Sequence, residues 1–363
     1  MTQAAASFAD PIPAIDASTF APPRWLANAH VQSILPTSRL RKPWLKRRAK
    51  DLLDVSVDHI LDCGDGVRLL GHYSSQQSVM GRSPNAAGAG AQERPPAKEI
   101  AILLHGWEGS AESMYVLSLG SYLFARGMDV FRLNFRDHGP SHHLNEDIFH
   151  SCRLDEVVGA VKSIQAMFPH ATISIAGFSL GGNFALRVAA AATNAGIRLE
   201  RAIAVCPVLR PHSTMDILEH GSFVYRMYFI DKWKRSLKLK QSLFPQRFDF
   251  GPILSQRSIK AMTEILVKRF SDFADLDSYL SGYAIVGDKL ANLKVPSHII
   301  FALDDPIIPA KDLNDLARNP NLHIIPIPHG GHCGFMDRWS TESWADRQIA
   351  KLMGLANIPV RTA

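Results

Sequence analysis

Short apolar runs and longer amphipathic stretches alternate along most of the chain from residue 99 onward. The runs are rich in Val, Ile or Leu, which favours buried strands. They occupy 99–104, 129–134, 172–177, 201–206, 296–302 and 321–326. The stretches repeat apolar residues with the period of a helix and lie at 111–125, 152–167, 180–193, 310–318 and 340–354. This alternation predicts an α/β fold with a mostly parallel central sheet and helices on both faces.

Two parts of the chain depart from this alternation. Upstream, the runs 55–61 and 67–73 flank a Gly-Asp-Gly turn, which predicts a β-hairpin. Downstream, residues 207–295 are basic, aromatic and helix-like, with no run typical of a buried strand. We therefore predict a helical cap, or lid, that is inserted after the sixth strand and covers one end of the sheet.

Composition sets the limits of the folded part. Residues 1–23 are rich in Pro and Ala, lack the features of a secretory signal, and are expected to form a disordered tail. Residues 74–98 are rich in Ser, Gly, Ala and Pro, which predicts a flexible loop. A second tail is expected at 356–363. The remaining chain, 24–355, is predicted to form a single domain.

The overall composition excludes several classes of protein. Hydrophobic residues make up 46% of the 363 residues, which suits a large core and excludes a disordered, collagenous or coiled-coil protein. No apolar run has the length that a spanning helix needs. The four cysteines, Cys63, Cys152, Cys206 and Cys333, are far apart, so we expect no disulfide framework, no metal site and no cofactor. A reducing cytoplasm is the expected location, with the protein soluble or at most peripheral to a membrane.

The strongest chemical signal is the sequence Gly177-Phe-Ser179-Leu-Gly181. It follows a predicted strand and opens an apolar helix, which is the context of a nucleophile elbow. There, a sharp turn exposes a serine hydroxyl and the flanking glycines avoid side-chain clashes. We expect Ser179 to be a nucleophile, and the alternative is an ordinary Gly-rich turn.

A nucleophilic serine needs a base and an acid that orients the base, and candidates for both follow later in the chain. Asp304 and Asp305 end one predicted strand, and His329 and His332 lie in a Gly-rich loop after the last strand. Asp305 is preferred as the acid because it stands four residues before Pro309. His332 is preferred as the base because its flanking glycines let the ring reach the serine. Asp304 and His329 are the alternatives.

Acyl transfer also needs hydrogen-bond donors for the oxyanion that forms on the carbonyl. The first loop after the strand at 99–104 begins His105-Gly-Trp107, the type of loop that supplies one backbone N–H. We expect the N–H groups of Trp107 and of Leu180, directly after the nucleophile, to form the oxyanion hole. A simple tight turn at His105 is the alternative.

The polar segment that contains His142 and Asp147 is interpreted as structural and not catalytic. His142 and Asp147 fit an H-x₄-D pattern, but this composition gives about one such match by chance. We interpret these residues as loop polarity, and Arg136 and Asp137 as structural partners.

Several motifs together resemble the α/β-hydrolase superfamily and specifically its YheT-like branch. They are HGWEGS (105–110), NFRDHGPS (134–141), GFSLGGN (177–183), ALDDPIIP (302–309), PHGGHCGF (328–335) and the upstream segment PRWLANAHVQ (23–32). The similarity covers about 22–355, apart from the loop at 74–98. It implies an α/β-hydrolase fold in which Ser179, Asp305 and His332 form a catalytic triad. One departure is Ala302, where many relatives have glycine.

The resemblance and the motifs together predict a serine hydrolase that cleaves carboxylic esters of small molecules or lipids through an acyl-enzyme. Bacterial members of the branch are described as hydrolases, and animal relatives as lipid esterases and phospholipases. An acyltransferase or thioesterase with the same triad is one alternative, and a ligand-binding protein without catalysis is another. Five aromatic residues of the cap are candidates to line an acyl pocket: Phe223, Tyr225, Tyr228, Phe229 and Trp233.

The net charge of +6 is distributed unevenly along the chain. Residues 24–50 contain eight Lys and Arg and no Asp or Glu, and 201–270 contain thirteen basic and five acidic residues. Both segments also contain tryptophan, so the pattern indicates peripheral contact with an anionic membrane. Solvated helix faces are the alternative. No motif indicates nucleic-acid binding, and the sequence does not indicate an oligomeric state.

Overall fold

The computed structural model describes residues 15–38, 40–80 and 99–355. The strands are β1 (Ser56–Asp62), β2 (Arg68–Ser74), β3 (Glu99–Leu104), β4 (Asp129–Leu133), β5 (Thr172–Phe178), β6 (Leu199–Val205), β7 (Ser297–Ala302) and β8 (Leu322–Ile327). They form one sheet in the order β1-β2-β4-β3-β5-β6-β7-β8. β2 pairs antiparallel with both β1 and β4, and the other pairs are parallel. Each predicted strand is present, with its ends shifted by at most two residues.

Helices cover both faces of the sheet, as predicted. They are α1 (Ala29–Ile34), α2 (Lys42–Arg48), α3 (Lys50–Asp54), α4 (Gln76–Met80), α5 (Met114–Phe124), α6 (Leu154–Met167), α7 (Leu180–Ala195), α8 (Pro211–His220), α9 (Phe223–Leu243), α10 (Gly251–Leu254), α11 (Ile259–Phe270), α12 (Leu276–Gly282) and α13 (Trp344–Leu352). Helices α6 and α7 pack on one face, and α5 and α13 on the other.

The central strands are buried on both sides, because alternate side chains point to opposite faces of the sheet. In β3, Ile100, Ile102 and Leu104 belong to the core beneath α6 and α7. Ala101 and Leu103 belong to the core beneath α5 and α13. The near-continuous apolar composition of these runs is therefore a consequence of two covered faces.

The predicted cap is present as helices α8–α12, which lie between β6 and β7. Both ends of this segment are tied to one side chain of α7. The amide nitrogen of Asn183 donates to the carbonyl oxygens of Val208 (2.9 Å) and Tyr283 (2.8 Å). Apolar residues of the cap join the core beneath α6 and α7, so the cap packs directly on the body.

The limits of the ordered part differ from the prediction in two places. Phe20 was expected in the disordered tail, but it is buried and its ring packs against Phe335 and Trp344. The loop expected over 74–98 is ordered at its start, because β2 extends to Ser74 and α4 follows. Gln76 of α4 donates hydrogen bonds to the Met128 carbonyl oxygen and to the side chain of Asp129, at the start of β4. The rest of both predicted segments, 1–14 and 81–98, and the predicted tail at 356–363 lie outside the described residues.

Of the five predicted helices, only the one at 310–318 is not an α-helix in the structure. Ala310–Asp315 forms a 3₁₀-helix that ends before Leu316, whose extended backbone bridges to Gly287. Within the described ranges, no helix combines the length and apolar composition that crossing a bilayer requires.

Candidate active site

Ser179 occupies a strained turn between β5 and α7. Its φ and ψ are 54° and −119°, a backbone conformation that costs energy for any residue with a side chain. The neighbouring glycines are required by close backbone contacts. A Cβ on Gly177 would lie 2.1 Å from the Gly181 carbonyl oxygen, and one on Gly181 would lie 2.4 Å from that of His105. The turn therefore has the geometry of a nucleophile elbow.

The sequence candidates at three strand ends meet in one hydrogen-bonded chain. His332 Nε2 lies 3.0 Å from Ser179 Oγ, and His332 Nδ1 lies 2.8 Å from Asp305 Oδ2. The other carboxylate oxygen of Asp305 accepts the backbone N–H groups of Ile307 (2.8 Å) and Ile308 (3.0 Å). The Asp305 side chain has no exposed surface. The arrangement is that of a nucleophile, a base and an orienting acid.

The two alternative candidates lie beside this chain. Asp304 Oδ1 accepts the backbone N–H of Gly331 at 2.9 Å, and Asp304 Oδ2 lies 3.5 Å from His329 Nδ1. His329 is half exposed. Asp304 thus braces the loop that carries His332, whereas Asp305 contacts the imidazole itself.

The environment of His332 favours its protonated form. Burial alone lowers the pKa of this imidazole. Electrostatic interactions with Asp305 and Cys333 and the hydrogen bond to Asp305 outweigh burial and raise the pKa to about 9. An imidazolium at this position is therefore well stabilised, which is what a base needs once it has accepted a proton.

The upstream segment holds the His332 loop in place, a role that the motifs did not predict. Ser33 Oγ accepts the backbone N–H of His332 at 2.8 Å and donates to the Ala29 carbonyl oxygen at 2.7 Å. The buried amide of Gln32 forms two hydrogen bonds of 2.8 Å with the backbone of Met336. The sequence signal nearest to these contacts is the similarity of residues 23–32 to the YheT-like branch, which includes Gln32 but not Ser33.

The loop after β3 presents one free backbone N–H beside Ser179. Gly106 N–H donates to the Tyr115 hydroxyl (2.9 Å), and Glu108 N–H donates to His138 Nε2 (3.2 Å). Between them, the N–H of Trp107 has no acceptor among the described residues. Leu180 is the first residue of α7, where an N–H has no partner within the helix. Both predicted oxyanion donors thus belong to residues that line the cavity with Ser179.

Two buried histidines support that loop as neutral rings. Burial lowers the pKa of His105 to about 4 and the pKa of His138 well below its usual value. Each ring donates from Nδ1 to a backbone carbonyl oxygen, at 2.8 Å and 2.7 Å respectively. Their Nε2 atoms accept the N–H groups of Phe135 and Glu108. The backbone around Trp107 is therefore fixed by side chains of the body.

A cavity of about 770 Å³ opens beside Ser179, between the body and the cap. Its apolar wall on the cap side includes Val208, Met215, Leu218, Ile259 and Leu266. Four of the five predicted aromatic residues also line it: Tyr225, Tyr228, Phe229 and Trp233. Phe223 does not line the cavity, because its side chain points to solvent and is 64% exposed. No cluster of metal-binding side chains occurs in the described part of the chain.

Comparisons with known proteins agree with this fold. A model of the alpha/beta hydrolase family matches residues 101–342. The chain is 25% identical to YheT of Escherichia coli (strain K12), with 87% of each chain covered. It is 20% identical to phospholipase ABHD3 of Mus musculus, over 65% of this chain and 58% of that protein. The esterase Pf2001 of Pyrococcus furiosus superposes with a TM-score of 0.54 at 17% identity, over 84% of this chain and 92% of that one. The chain therefore belongs to the alpha/beta hydrolase family and, within it, to the YheT-like branch.

Proposed function

We propose that the protein is a serine hydrolase of carboxylic esters, with Ser179, His332 and Asp305 as its catalytic triad. The observation that carries the proposal is the hydrogen-bonded chain from Asp305 through His332 to Ser179 Oγ, which ends at a largely apolar cavity. A ligand-binding protein would need the cavity but has no need of a serine held at φ 54° beside an imidazole. The strain therefore favours catalysis over binding alone.

In the proposed reaction, His332 Nε2 takes the proton of Ser179 Oγ as that oxygen attacks the acyl carbonyl carbon. The bond between the carbonyl carbon and the alcohol oxygen then breaks, and His332 returns the proton to the leaving alcohol. Water attacks the acyl-enzyme by the same route and releases the acid. Asp305 stays ionised and stabilises the imidazolium throughout.

The backbone N–H groups of Trp107 and Leu180 are the proposed donors to the oxyanion. Each such donor contributes about 10²–10³-fold to the rate in serine hydrolases. Because Gly106 and Glu108 already donate to Tyr115 and His138, the peptide of Trp107 cannot rotate freely away from the cavity. This rigidity supports a preorganised oxyanion hole.

We propose acyl or lipid esters as the substrate class. The cavity volume of about 770 Å³ suits a ligand of the size of a lipid acyl group, and its cap wall is mainly aliphatic and aromatic, with Lys232 as its charged side chain. One relative is named as a phospholipase, which supports a lipid ester.

A fluorophosphonate probe tests the nucleophile directly. We expect wild-type protein to be labelled at Ser179, as located by peptide mass spectrometry, and the Ser179→Ala variant to remain unlabelled. Ser163→Ala is the matched control, because this serine lies on α6 and does not line the cavity. Labelling of the Ser179→Ala variant at the wild-type level would refute the proposed nucleophile.

A panel of p-nitrophenyl esters of increasing chain length tests the reaction. Turnover that depends on Ser179 is expected, and its absence across the panel would favour a binding protein. The same panel with an added alcohol separates hydrolysis from acyl transfer, because a transferase would form the new ester in preference to the free acid.

A further inference from the structure

The first two turns of α9 present an apolar stripe to solvent. Phe223, Val224, Met227 and Tyr228 occupy positions i, i+1, i+4 and i+5, which share one side of a helix. Their exposed fractions are 64%, 62%, 38% and 49%. A helix that packs only on its own body would turn such a stripe inward, so this surface is unusual for a free protein.

The stripe lies at the mouth of the cavity, opposite the upstream segment. Val224 and Tyr228 line the cavity together with Ile34 and Lys42, and Ile34 is itself half exposed. The two sides are joined by a 2.9 Å hydrogen bond between His30 Nδ1 and the Tyr225 hydroxyl. We call the six residues Ile34, Lys42, Phe223, Val224, Met227 and Tyr228 the rim.

Positive charge continues from the rim along α2. Lys42, Lys46 and Arg47 are exposed, and the upstream segment 24–50 has no acidic residue to neutralise them. Trp44 on the same helix is also exposed and packs edge-on against Trp339. This helix therefore combines an aromatic side chain with cations, as segments that bind at a lipid interface do.

Part of the positive charge of the cap is paired within the protein. Arg235 pairs with Asp231, Arg247 with Asp147, and Lys240 with the buried Asp137. Trp233 of the cap is buried as well. Other cations of the cap, such as Lys238 and Arg257, are exposed and form no ion pair with the described residues. The cations of α2 differ from these because they lie beside the apolar rim, which includes Lys42.

We propose that the rim and α2 dock on an anionic lipid bilayer, with the mouth of the cavity facing the membrane. The apolar stripe of α9 would enter the boundary between head groups and acyl chains, while Lys46 and Arg47 contact anionic head groups. The proposal goes beyond ester hydrolysis, since it concerns where the protein binds and not what Ser179 does. A second copy of the chain is a less suitable partner, because two such surfaces would bring like charges together.

Co-sedimentation with vesicles tests the proposal on the full chain. We expect binding to phosphatidylcholine vesicles that contain a quarter phosphatidylglycerol, and weak binding to pure phosphatidylcholine or at high salt. Lys46→Gln with Arg47→Gln should weaken binding about 30-fold, since each cation near an anionic surface contributes about fivefold. Phe223→Ser with Met227→Ser should weaken it about tenfold, through loss of apolar burial.

Matched variants elsewhere on the surface serve as controls. Lys289→Gln with Lys294→Gln removes the same charge near the start of β7, at the opposite end of the strands from the cavity. Val57→Ser with Ile60→Ser removes exposed apolar side chains from the edge strand β1. Both pairs should bind vesicles like the wild type, and thermal unfolding of every variant verifies folding.

Vesicle binding that is equal in the rim variants and their controls, or that ignores phosphatidylglycerol and salt, would overturn the proposal. Self-association that the Phe223 and Met227 substitutions abolish, without vesicle binding, would assign the stripe to a second copy and also overturn it. Binding is measured in the Ser179→Ala background as well. The experiments can therefore refute membrane docking without refuting ester hydrolysis, and the reverse.

Discussion

The proposed triad, called the triad below, and a second buried polar cluster both include residues that follow strand ends of the central sheet. The second cluster, which we call the β4 cluster, consists of Arg136, Asp137, Glu156 and Lys240. Arg136 forms three contacts of 2.6–3.1 Å with the Glu156 carboxylate, and Lys240 Nζ lies 2.8 Å from Asp137 Oδ1. Each of the four side chains is at most 8% exposed. Burial and charge alone thus do not distinguish this cluster from the triad.

The two clusters differ in how their hydrogen-bonding capacity is used. Lys240 directs its ammonium group to Asp137 and to the carbonyl oxygens of His142 (3.3 Å) and Asn145 (2.6 Å), so its three donors are all matched. Ser179 Oγ contacts His332 and otherwise faces the cavity. A fully matched cluster holds the structure together, whereas one with an open position at a cavity can react.

The two clusters also connect different parts of the chain. Lys240 comes from α9, so the β4 cluster ties the cap to the loop after β4. The triad is tied to the upstream segment, through Ser33 and the backbone of His332. Substitutions in one cluster should therefore change the rate of catalysis, and substitutions in the other should change stability.

The largest effect is expected at the nucleophile. Ser179→Ala should lower kcat by about 10⁴–10⁶-fold, because removing the serine of a triad costs nearly the whole contribution of the triad. The free energy of unfolding should change by less than about 1 kcal/mol, since a single hydrogen bond is lost. Ester kinetics and urea unfolding measure the two quantities. A large loss of stability would mean that Ser179 has a structural role, like the residues of the β4 cluster.

The next effect separates the two adjacent carboxylates. Asp305→Asn should lower kcat by about 10⁴-fold, as expected when the base loses its orienting acid. Asp304→Asn should lower it by no more than about tenfold, because Asp304 contacts the loop backbone and not the imidazole. Equal losses in both variants would contradict the assignment of Asp305.

The pH dependence of kcat/KM is a second way to distinguish Asp305 from Asp304. The base must be neutral to accept a proton, so kcat/KM of the wild type should rise with pH until about 9, the pKa of His332. In Asp305→Asn, burial lowers the pKa of His332 without the opposing carboxylate charge and hydrogen bond, so the rise should move to lower pH. Asp304→Asn should keep the wild-type profile. A profile that does not move in Asp305→Asn would show that another group sets it.

For the β4 cluster, the expected effect is on stability. Lys240→Ala should lower the free energy of unfolding by about 3–5 kcal/mol, because it leaves the Asp137 carboxylate buried without its partner. The double variant Asp137→Asn with Lys240→Met removes both charges and should cost less than Lys240→Ala alone. Urea unfolding of the three proteins measures this, and the pH profile of kcat/KM should be unchanged in all. If the double variant is less stable than Lys240→Ala, the unpaired carboxylate of Asp137 is not the cause of the lost stability.

The sequence predicted those parts of the molecule that depend on local pattern. The elbow at Ser179 follows from glycines within two residues of it, and strand ends follow from the apolar runs. The carboxyl ends of parallel strands meet at one edge, which is why Asp305 and His332 could be placed near Ser179 before any contact was known. Arg136 and Asp137, which we interpreted as structural partners, each form a buried ion pair, with Glu156 and Lys240 respectively.

The parts that were missed depend on contacts between distant positions. Ser33 and His332 are separated by 299 residues, and no periodicity links them. Phe20 was assigned to a tail because its neighbours are Pro and Ala, yet its ring packs on Trp344. The orientation of α9 was not predictable either, since its mixed composition does not show that Phe223 faces solvent while Trp233 is buried.

The smallest expected effect concerns one of these distant contacts. Ser33→Ala removes the acceptor of the His332 N–H, which should lower the free energy of unfolding by about 1–3 kcal/mol and kcat by about tenfold. Ser38→Ala is the matched control on the same segment, because the Ser38 hydroxyl has no partner within the described residues. KM and the pH profile should stay unchanged in both, because the imidazole still contacts Asp305. If Ser33→Ala and Ser38→Ala behave alike, the upstream segment does not position the base.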